Sequence, residues 1–466
     1  MKLINYSIIV FLVLAFSACE DHFDVNTDPT RVSEDNVTLK VLLPTVIQGT
    51  SDVHYLTGNS ASQVTHYMDN IVNGYYQMFS MSGAWSTIYL KSLNNLATIV
   101  EKANAEGSPH YAGVAKVLQA VNIAMLADCW ENAPYSEALK GSENISPTYD
   151  NQEKLYTEVM ALLDDGLKDL QQEESFNSPD VDDLIYNGDI EKWIKAIHSL
   201  KARYLLHLSK KSDNTAAILA EIGQGFTSND DDFQLTYTST VANPWFSAVS
   251  KRILENIYTV TYGAHFMQTL NGDFFGVFDP RLPIIAETDS VDTYIGLASY
   301  DDDAPDYTVL PSVNTYYMMV ESPMLMMTYA ELKLIEAEMK MQSNPGEAHA
   351  AYVEGIRANM NKLGVGGAEQ DAYLSSPEVD LGGTVDLEHI MKEKYIALAL
   401  NPETWNDMRR YNFSPDVFRG FIEPEIDGEL SPNAQRAVLP DSEQSRNQTN
   451  YDANFKEMDV PMWKDL

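Results

Sequence analysis

Between Tyr111 and Met125 the apolar residues Val114, Val117, Leu118, Val121 and Met125 recur at spacings of three and four, which puts them on one stripe of a helix. Ser108 followed by Pro109 supplies its N-cap and first-turn residue. A second helix is expected from Asp150, with Glu153 at the capping-box position and Leu155, Val159, Leu162, Leu163 and Leu170 on one face. The same period runs from about Ile190 to Leu208 through Trp193, Ile197, Leu200 and Tyr204. Further on, Ser322 and Pro323 are expected to open a helix carrying Leu325, Tyr329, Leu332 and Met339. Asn344, Pro345 and Glu347 open one carrying Ala348, Tyr352 and Met360, and a last helix near Leu387 to Leu400 aligns Met391, Tyr395 and Leu398. Helices of this length joined by short turns predict a mainly α fold of stacked hairpins, although no strict 34-residue repeat accompanies them. The helical scaffold occupies 39–210 and 322–466 of a single domain, 39–466. In 211–321 the period weakens and Asp, Gly, Pro, Tyr and Thr accumulate, so this stretch is a loop-rich insertion where function is expected.

The N-terminal pattern is of another kind. Lys2 precedes an uncharged run from Ile8 to Phe16 and the small residues Ser17 and Ala18, so 1–18 has the anatomy of a signal peptide. Cys19 follows at once, in what resembles a lipobox despite Phe16 at the position usually held by Leu. That resemblance implies a diacylglyceryl thioether on Cys19, anchored by about 0.8 kcal/mol per buried CH2. Residues 19–38 are polar and turn-rich and form a lipidated tether, and Glu20, Asp21 and Asp24 resemble the acidic tag of surface-exported lipoproteins. No later segment approaches about 18 apolar residues, so no membrane-spanning helix is expected. With Cys19 acylated, Cys129 has no disulfide partner and is expected to be a buried small hydrophobe.

Sixty-eight acids against 31 bases give a net charge of −37, which repels phosphate backbones and excludes nucleic acid as a partner. The acidic runs Asp230–Asp232 and Asp301–Asp303 lack the alternation, central Gly and closing Glu of an EF-hand; they are expected to be solvated loops, with a structural calcium as the lesser alternative and no other cofactor. No HExxH, GxSxG, Walker or GxGxxG pattern is present, so neither a catalytic residue nor a metal site is assigned. The aromatic load is more informative, with 26 Tyr and 6 Trp. Flat rings with a polar tip suit stacking on sugars or packing on peptide side chains. "NGYYQMFSMSGAW" and "NPWF" set rings among turn residues, and Tyr75, Tyr76, Trp85, Trp245 and Tyr294 are the candidate ligand contacts, each of them open to the alternative of plugging the core.

Several blocks then resemble one family in order along the chain: "DVNTDPT" at 24–30, "LADCWENAPYSEAL" at 126–139, "WIKAIHSLKARYLLHLS" at 193–209, "FDPRLPII" at 278–285, "YAELKLIEAEMKM" at 329–341 and "WNDMRRY" at 405–411. Together they are similar to the SusD/RagB-like nutrient-binding lipoproteins of the outer membrane. The family's Gly-Asp-Val-Pro-Tyr stands here as Glu131, Asn132, Ala133, Pro134 and Tyr135, as in a divergent branch. The resemblance implies about four TPR-like helix pairs with a loop-rich ligand-binding part, and no catalysis. It also implies attachment to the cell-surface side of the outer membrane and a SusC-like TonB-dependent barrel, over which the protein sits as a lid delivering oligosaccharide or peptide. Two other classes remain to be weighed: a surface-anchored glycoside hydrolase, whose paired carboxylates would stand about 5 to 10 Å apart, and a TPR-like scaffold that binds other proteins.

Overall fold

The computed structural model describes residues 37–70, 80–255, 257, 260–288, 293–298, 315–423, 425–426, 429–430 and 433–466. Fifteen α-helices of six residues or more organise them: α1 (Leu39–Val64), α2 (Ser82–Thr87), α3 (Asn94–Glu106), α4 (Pro109–Trp130), α5 (Gln152–Leu170), α6 (Ile190–His207), α7 (Thr215–Ile222), α8 (Ala264–Asn271), α9 (Tyr329–Lys340), α10 (Pro345–Leu363), α11 (Gly367–Leu374), α12 (Leu387–Ala397), α13 (Glu403–Arg410), α14 (Asp441–Arg446) and α15 (Gln448–Asn454). Neighbours in sequence pack as neighbours in space from α3 through α7, and α9, α10 and α12 continue the stack by way of α7. The mainly α architecture of stacked helical pairs is thus the one the period-3.6 stripes predict.

Two helix crossings show what the stripes leave out. Gly113 of α4 lies against α5, where an added Cβ would fall 2.7 Å from Leu170 Cγ and 3.0 Å from the Gly166 carbonyl. In the α9–α10 pair Gly355 does the same, its Cβ position lying 2.8 Å from Leu334 Cγ and 3.2 Å from the Ala330 carbonyl. Both hairpins use a missing side chain to bring backbones together. α4 is also buried on nearly every side and not on one stripe, because α1, α3, α5 and α6 all pack around it. It is the one described helix long and apolar enough to cross a membrane, and it lies in the core of the fold. Its apolarity therefore serves burial within the stack, and the expectation that no later segment reaches that length and hydropathy is corrected to this extent.

Helix starts differ from expectation where a side chain found a better partner. Ser108 precedes Pro109 as expected, but its hydroxyl donates to Glu106 at 2.8 Å and does not cap α4. Asn151, not Asp150, caps α5 by accepting the Lys154 N–H at 2.9 Å. Asp150 is drawn instead to the Ser136 N–H at 2.6 Å and Lys154 Nζ at 2.5 Å. Ser322 and Pro323 do not open a helix. Met324–Met327 form a strand, β4, and α9 begins after Thr328, whose hydroxyl accepts the Glu331 N–H at 3.2 Å.

Strand β4 pairs antiparallel with β2 (Phe233–Leu235), and β1 (Met68–Asn70) pairs with β3 (Val260–Tyr262). The described part of the 211–321 insertion is therefore laced to the scaffold on two sides and carries α7, α8 and a π-helical segment, Phe246–Ser250. A further two-stranded ribbon, β5 (Glu425–Ile426) with β6 (Glu429–Leu430), lies near the C-terminus. Asp231 and Asp232 are not a solvated loop. Both are buried, with Lys195 of α6 at 2.9 Å from Asp231 and Lys362 of α10 at 2.6 Å from Asp232, so the packing of two helices supplies cations the local sequence does not announce. Asp301–Asp303 lie outside the described residues.

Candidate functional site

A groove of about 470 Å³ opens where α2 meets the connection between α4 and α5 and the C-terminal helix α14. One side comes from α2 and the π-helical turn Ile88–Leu93 that continues it. A π segment inserts a residue into the helical ladder, and such bulges are frequent at functional sites. Here it turns Leu90 outward, 74% exposed, while Ile88 and Leu93 stay buried. A second side is Pro134–Pro147, whose Ile145 is 78% exposed, and the third is Ser442–Asn447.

Aromatic packing builds the floor. Trp85 is only 4% exposed and meets Trp130 edge-on at 5.1 Å, Tyr89 at 5.1 Å and Tyr149 at 6.3 Å. Three of the polar tips in this cluster are engaged: Tyr89 donates to the Pro134 carbonyl at 2.7 Å, Tyr149 to Glu443 at 2.8 Å, and Trp130 Nε1 to the Ser80 and Val438 carbonyls at 3.1 and 3.2 Å. Burial, then the Glu443 carboxylate, pushes the Tyr149 hydroxyl well up, so it stays a donor at any physiological pH. The wall is fixed by Asp150: burial pushes its carboxyl up, but Lys154 and the Ser136 N–H and hydroxyl outweigh that and hold it low. Arg446, at the rim, is exposed and has no ion-pair partner among the described residues. The described lining thus offers aliphatic contact beside amide, hydroxyl, carboxylate and guanidinium groups.

The expected ring contacts fall in different places. Trp85 lies under the groove as its floor, not as an open stacking face, because Trp130 and Tyr149 cover it. Trp245 is 3% exposed, packed edge-on to Tyr55 at 5.0 Å, and faces a small internal cavity near His54 and Asn401. It also immediately precedes the π segment Phe246–Ser250, so each of the two tryptophans stands at the entrance to a π turn. Tyr294 is half-buried 6.3 Å from Phe278, and partial burial raises its hydroxyl. Trp85 and Trp245 thus line separate spaces. Tyr75 and Tyr76 lie outside the described residues, as do Cys19 and the tether up to residue 36. Cys129 is buried, and burial pushes its thiol up.

A buried ionic junction lies at the C-terminal end of α4, the end that leads to the groove. His207 of α6 lies between Asp128, 3.4 Å from Nδ1, and Glu403, 2.8 Å from Nε2, with the Tyr156 hydroxyl 3.0 Å from Nδ1. Burial alone would lower the imidazole, but the two carboxylates outweigh it and raise it. Asp128, His207 and Glu403 are close enough to hold a metal ion. Resident cations already serve them: Lys464 Nζ lies 3.6 Å from Asp128 and Arg203 lies 3.5 Å from Glu403. The donor set therefore fits an imidazolium clamp better than a metal centre.

A family profile described as starch-binding and associating with the outer membrane matches residues 29–433. The chain belongs to the SusD-like family. This SusD-like chain is also similar in structure to a SusD/RagB family protein from Bacteroides thetaiotaomicron, with a TM-score of 0.74 at 22% identity, covering 92% of this chain and 99% of that one. A chitin-binding protein aligns with a TM-score of 0.75 at 20% identity over 92% of this chain and 100% of its own. A chitin-binding SusD homologue from Flavobacterium johnsoniae gives 0.73 at 18%, over 92% and 98%. At such identities the likeness is one of fold. No curated protein matches the chain. The SusD-like family consists of binding proteins associated with the outer membrane, and the mainly helical fold expected from the sequence is the family's own.

What the sequence reading missed is the composition of the walls. Leu90, Ile145, Glu443 and Arg446 gave no local signal, and the bond that holds Glu443, from Tyr149, joins residues about 300 apart. The block "LADCWENAPYSEAL", 126–139, is the sequence feature that lies nearest to them.

Proposed function

We propose that this protein is a surface-exposed, lipid-anchored receptor that binds an oligosaccharide or peptide nutrient and delivers it, as a lid, to a SusC-like TonB-dependent transporter. The family match over residues 29–433 carries the reading, since that family's description joins saccharide binding to the outer membrane. The chitin-binding proteins among its structural neighbours favour a glycan. Cys19 directly behind the apolar run supplies the anchor, and Tyr75, Tyr76 and Tyr294 are the rings proposed to touch ligand. A groove of packing surfaces and hydrogen-bonding groups suits a carrier that must release its cargo intact, since moderate affinity of that kind permits release.

The test is purification from native outer membranes. The expected result is co-isolation with a large β-barrel and a mass showing acylated Cys19. An acyl-free protein recovered alone would overturn the reading. A glycan and peptide array probed with the chain lacking residues 1–19 then identifies the ligand class, with binding and no turnover expected; hydrolysis of a glycan, abolished by one Asp or Glu change, would instead make the protein a glycosidase.

A further inference from the structure

α4 ends on a backbone conformation that disfavours a side chain. Glu131 has φ 72° and ψ −70°, and the Asn132 N–H closes a tight three-residue turn onto the Trp130 carbonyl at 3.0 Å. Turns of this hand are rare and strained, and a residue other than glycine persists in one only where its surroundings over-determine it. The surroundings here are specific. The Glu131 carboxylate is buried, and three donors grip it: Arg436 Nη1 and Lys456 Nζ on Oε2, each at 2.7 Å, and the Trp463 N–H on Oε1 at 2.7 Å. Burial pushes this carboxyl up, and the Arg436 and Lys456 contacts with the Trp463 N–H outweigh it and keep it charged. The next residue is tied down too, with Asn132 Nδ2 donating to Asn454 at 3.0 Å and Asn132 Oδ1 accepting the Gln152 N–H at 3.2 Å.

The turn leads straight into the groove. Pro134, Ala138 and Leu139 form its wall three to eight residues on, and the opposite wall, Ser442–Asn447, lies in the same stretch that supplies Arg436, Asn454, Lys456 and Trp463. All four of these partners, and that second wall, fall beyond residue 433, where the family match stops. The C-terminal stretch therefore both makes one side of the groove and holds the other in place.

We propose that Glu131 is the positioning residue of the groove: gripped by Arg436, Lys456 and the Trp463 N–H, it fixes the strained end of α4 and so the spacing of the Pro134–Leu139 wall from Ser442–Asn447, which makes residues 434–466 the part of the chain that sets what the groove admits. The consequence for ligand rests on the groove reading above; the mechanical claim does not. Hydrogen exchange followed by mass spectrometry on the full chain separates the two. Glu131→Gly accepts the positive φ without strain but removes the grip. It is expected to speed exchange across 133–139 by about tenfold or more while peptides from α10, remote from the groove, stay at the wild-type rate. Lys456→Met, which removes one partly exposed donor, is expected to give a smaller speeding confined to the same peptide, about threefold. Exchange in 133–139 within about twofold of wild type in Glu131→Gly, or an equal speeding in α10, would overturn the proposal, the second because it marks a general loss of stability. Titration with maltohexaose and chitohexaose reports on the ligand reading separately: if neither sugar binds wild type, the exchange result still stands or falls alone. If one binds, Glu131→Gly is expected to weaken it by about fivefold or more, and unchanged affinity would refute the control of admission.

Discussion

Where α4 crosses α5, Gly113 and Gly166 let two backbones touch, and shape sets the contact, with a single ion pair, Lys116–Asp169 at 2.7 Å, beside it. At the C-terminal end of the same helix, Asp128 and Glu131 are buried carboxylates held by cations, His207 and Lys464 in one case and Arg436 and Lys456 in the other, with the Tyr156 hydroxyl and the Trp463 N–H as neutral donors. One helix thus carries both a crossing set by shape and a junction set by ionisation. The first responds to side-chain volume and ignores pH. The second responds to removal of any one partner, because a buried charge left alone is strongly destabilising. The groove stands at the ionic end, so its geometry is the part of the fold open to tuning.

Four measurements separate the two ends, beginning with the largest effect. Lys464→Met leaves Asp128 and Asp465 buried without their nearest lysine, and denaturant unfolding at pH 7 is expected to show a loss of about 3–5 kcal/mol. Asp232 offers a pH-dependent counterpart in the insertion. Burial pushes its carboxyl up to about 6 even with Lys362 beside it, above an unfolded value near 3.8. A folded pKa above the unfolded one means the folded state gains protons first, so wild type should gain about 2 kcal/mol relative to Asp232→Asn as pH falls from 7 to 4. Gly113→Ala tests the apolar crossing: the new methyl meets Leu170 Cγ and the Gly166 carbonyl, and the expected loss is about 1–3 kcal/mol, the same at pH 5 and pH 8. Smallest is Tyr149→Phe at the groove, where loss of the bond to Glu443 is expected to cost about 1 kcal/mol in the same unfolding assay.

The imidazole adds a direction to the ionic end. Its folded pKa lies above the usual value near 6.5, so the stabilisation from charged His207 is complete below about pH 6.5 and disappears as pH rises through the folded value. A melting curve for wild type should therefore shift down between pH 6.5 and 9, while that of His207→Gln stays flat over the window. A flat wild-type curve would show that the junction does not depend on the imidazolium.

Legibility from sequence followed the range of the interaction. Trp193, Ile197, Leu200 and Tyr204 announced α6 because a helix repeats its buried face every three or four residues, and Asn344, Pro345 and Glu347 announced α10 because capping acts over one turn. Ser322 and Pro323 misled because β4 satisfies its backbone against β2, about 90 residues earlier, a partner no local rule contains. Asp231 and Asp232 looked like a solvated run because Lys195 and Lys362 arrive from other helices. Trp85 and Trp245 stayed open between ligand contact and core plug because burial depends on what covers a residue, and their covers, Trp130, Tyr149 and Tyr55, come from elsewhere in the chain.

By itself the sequence determined that this is an acidic, mainly helical stack with an apolar N-terminal run that ends at Cys19, because hydrophobic period, net charge and short motifs are local or additive properties of the chain. Only the tertiary structure decided which glycines let helices meet, which aromatics became floor, and that residues beyond 433 grip Glu131 and complete the groove. Those outcomes depend on side chains hundreds of positions apart desolvating one another, and no pattern along a single dimension carries that information.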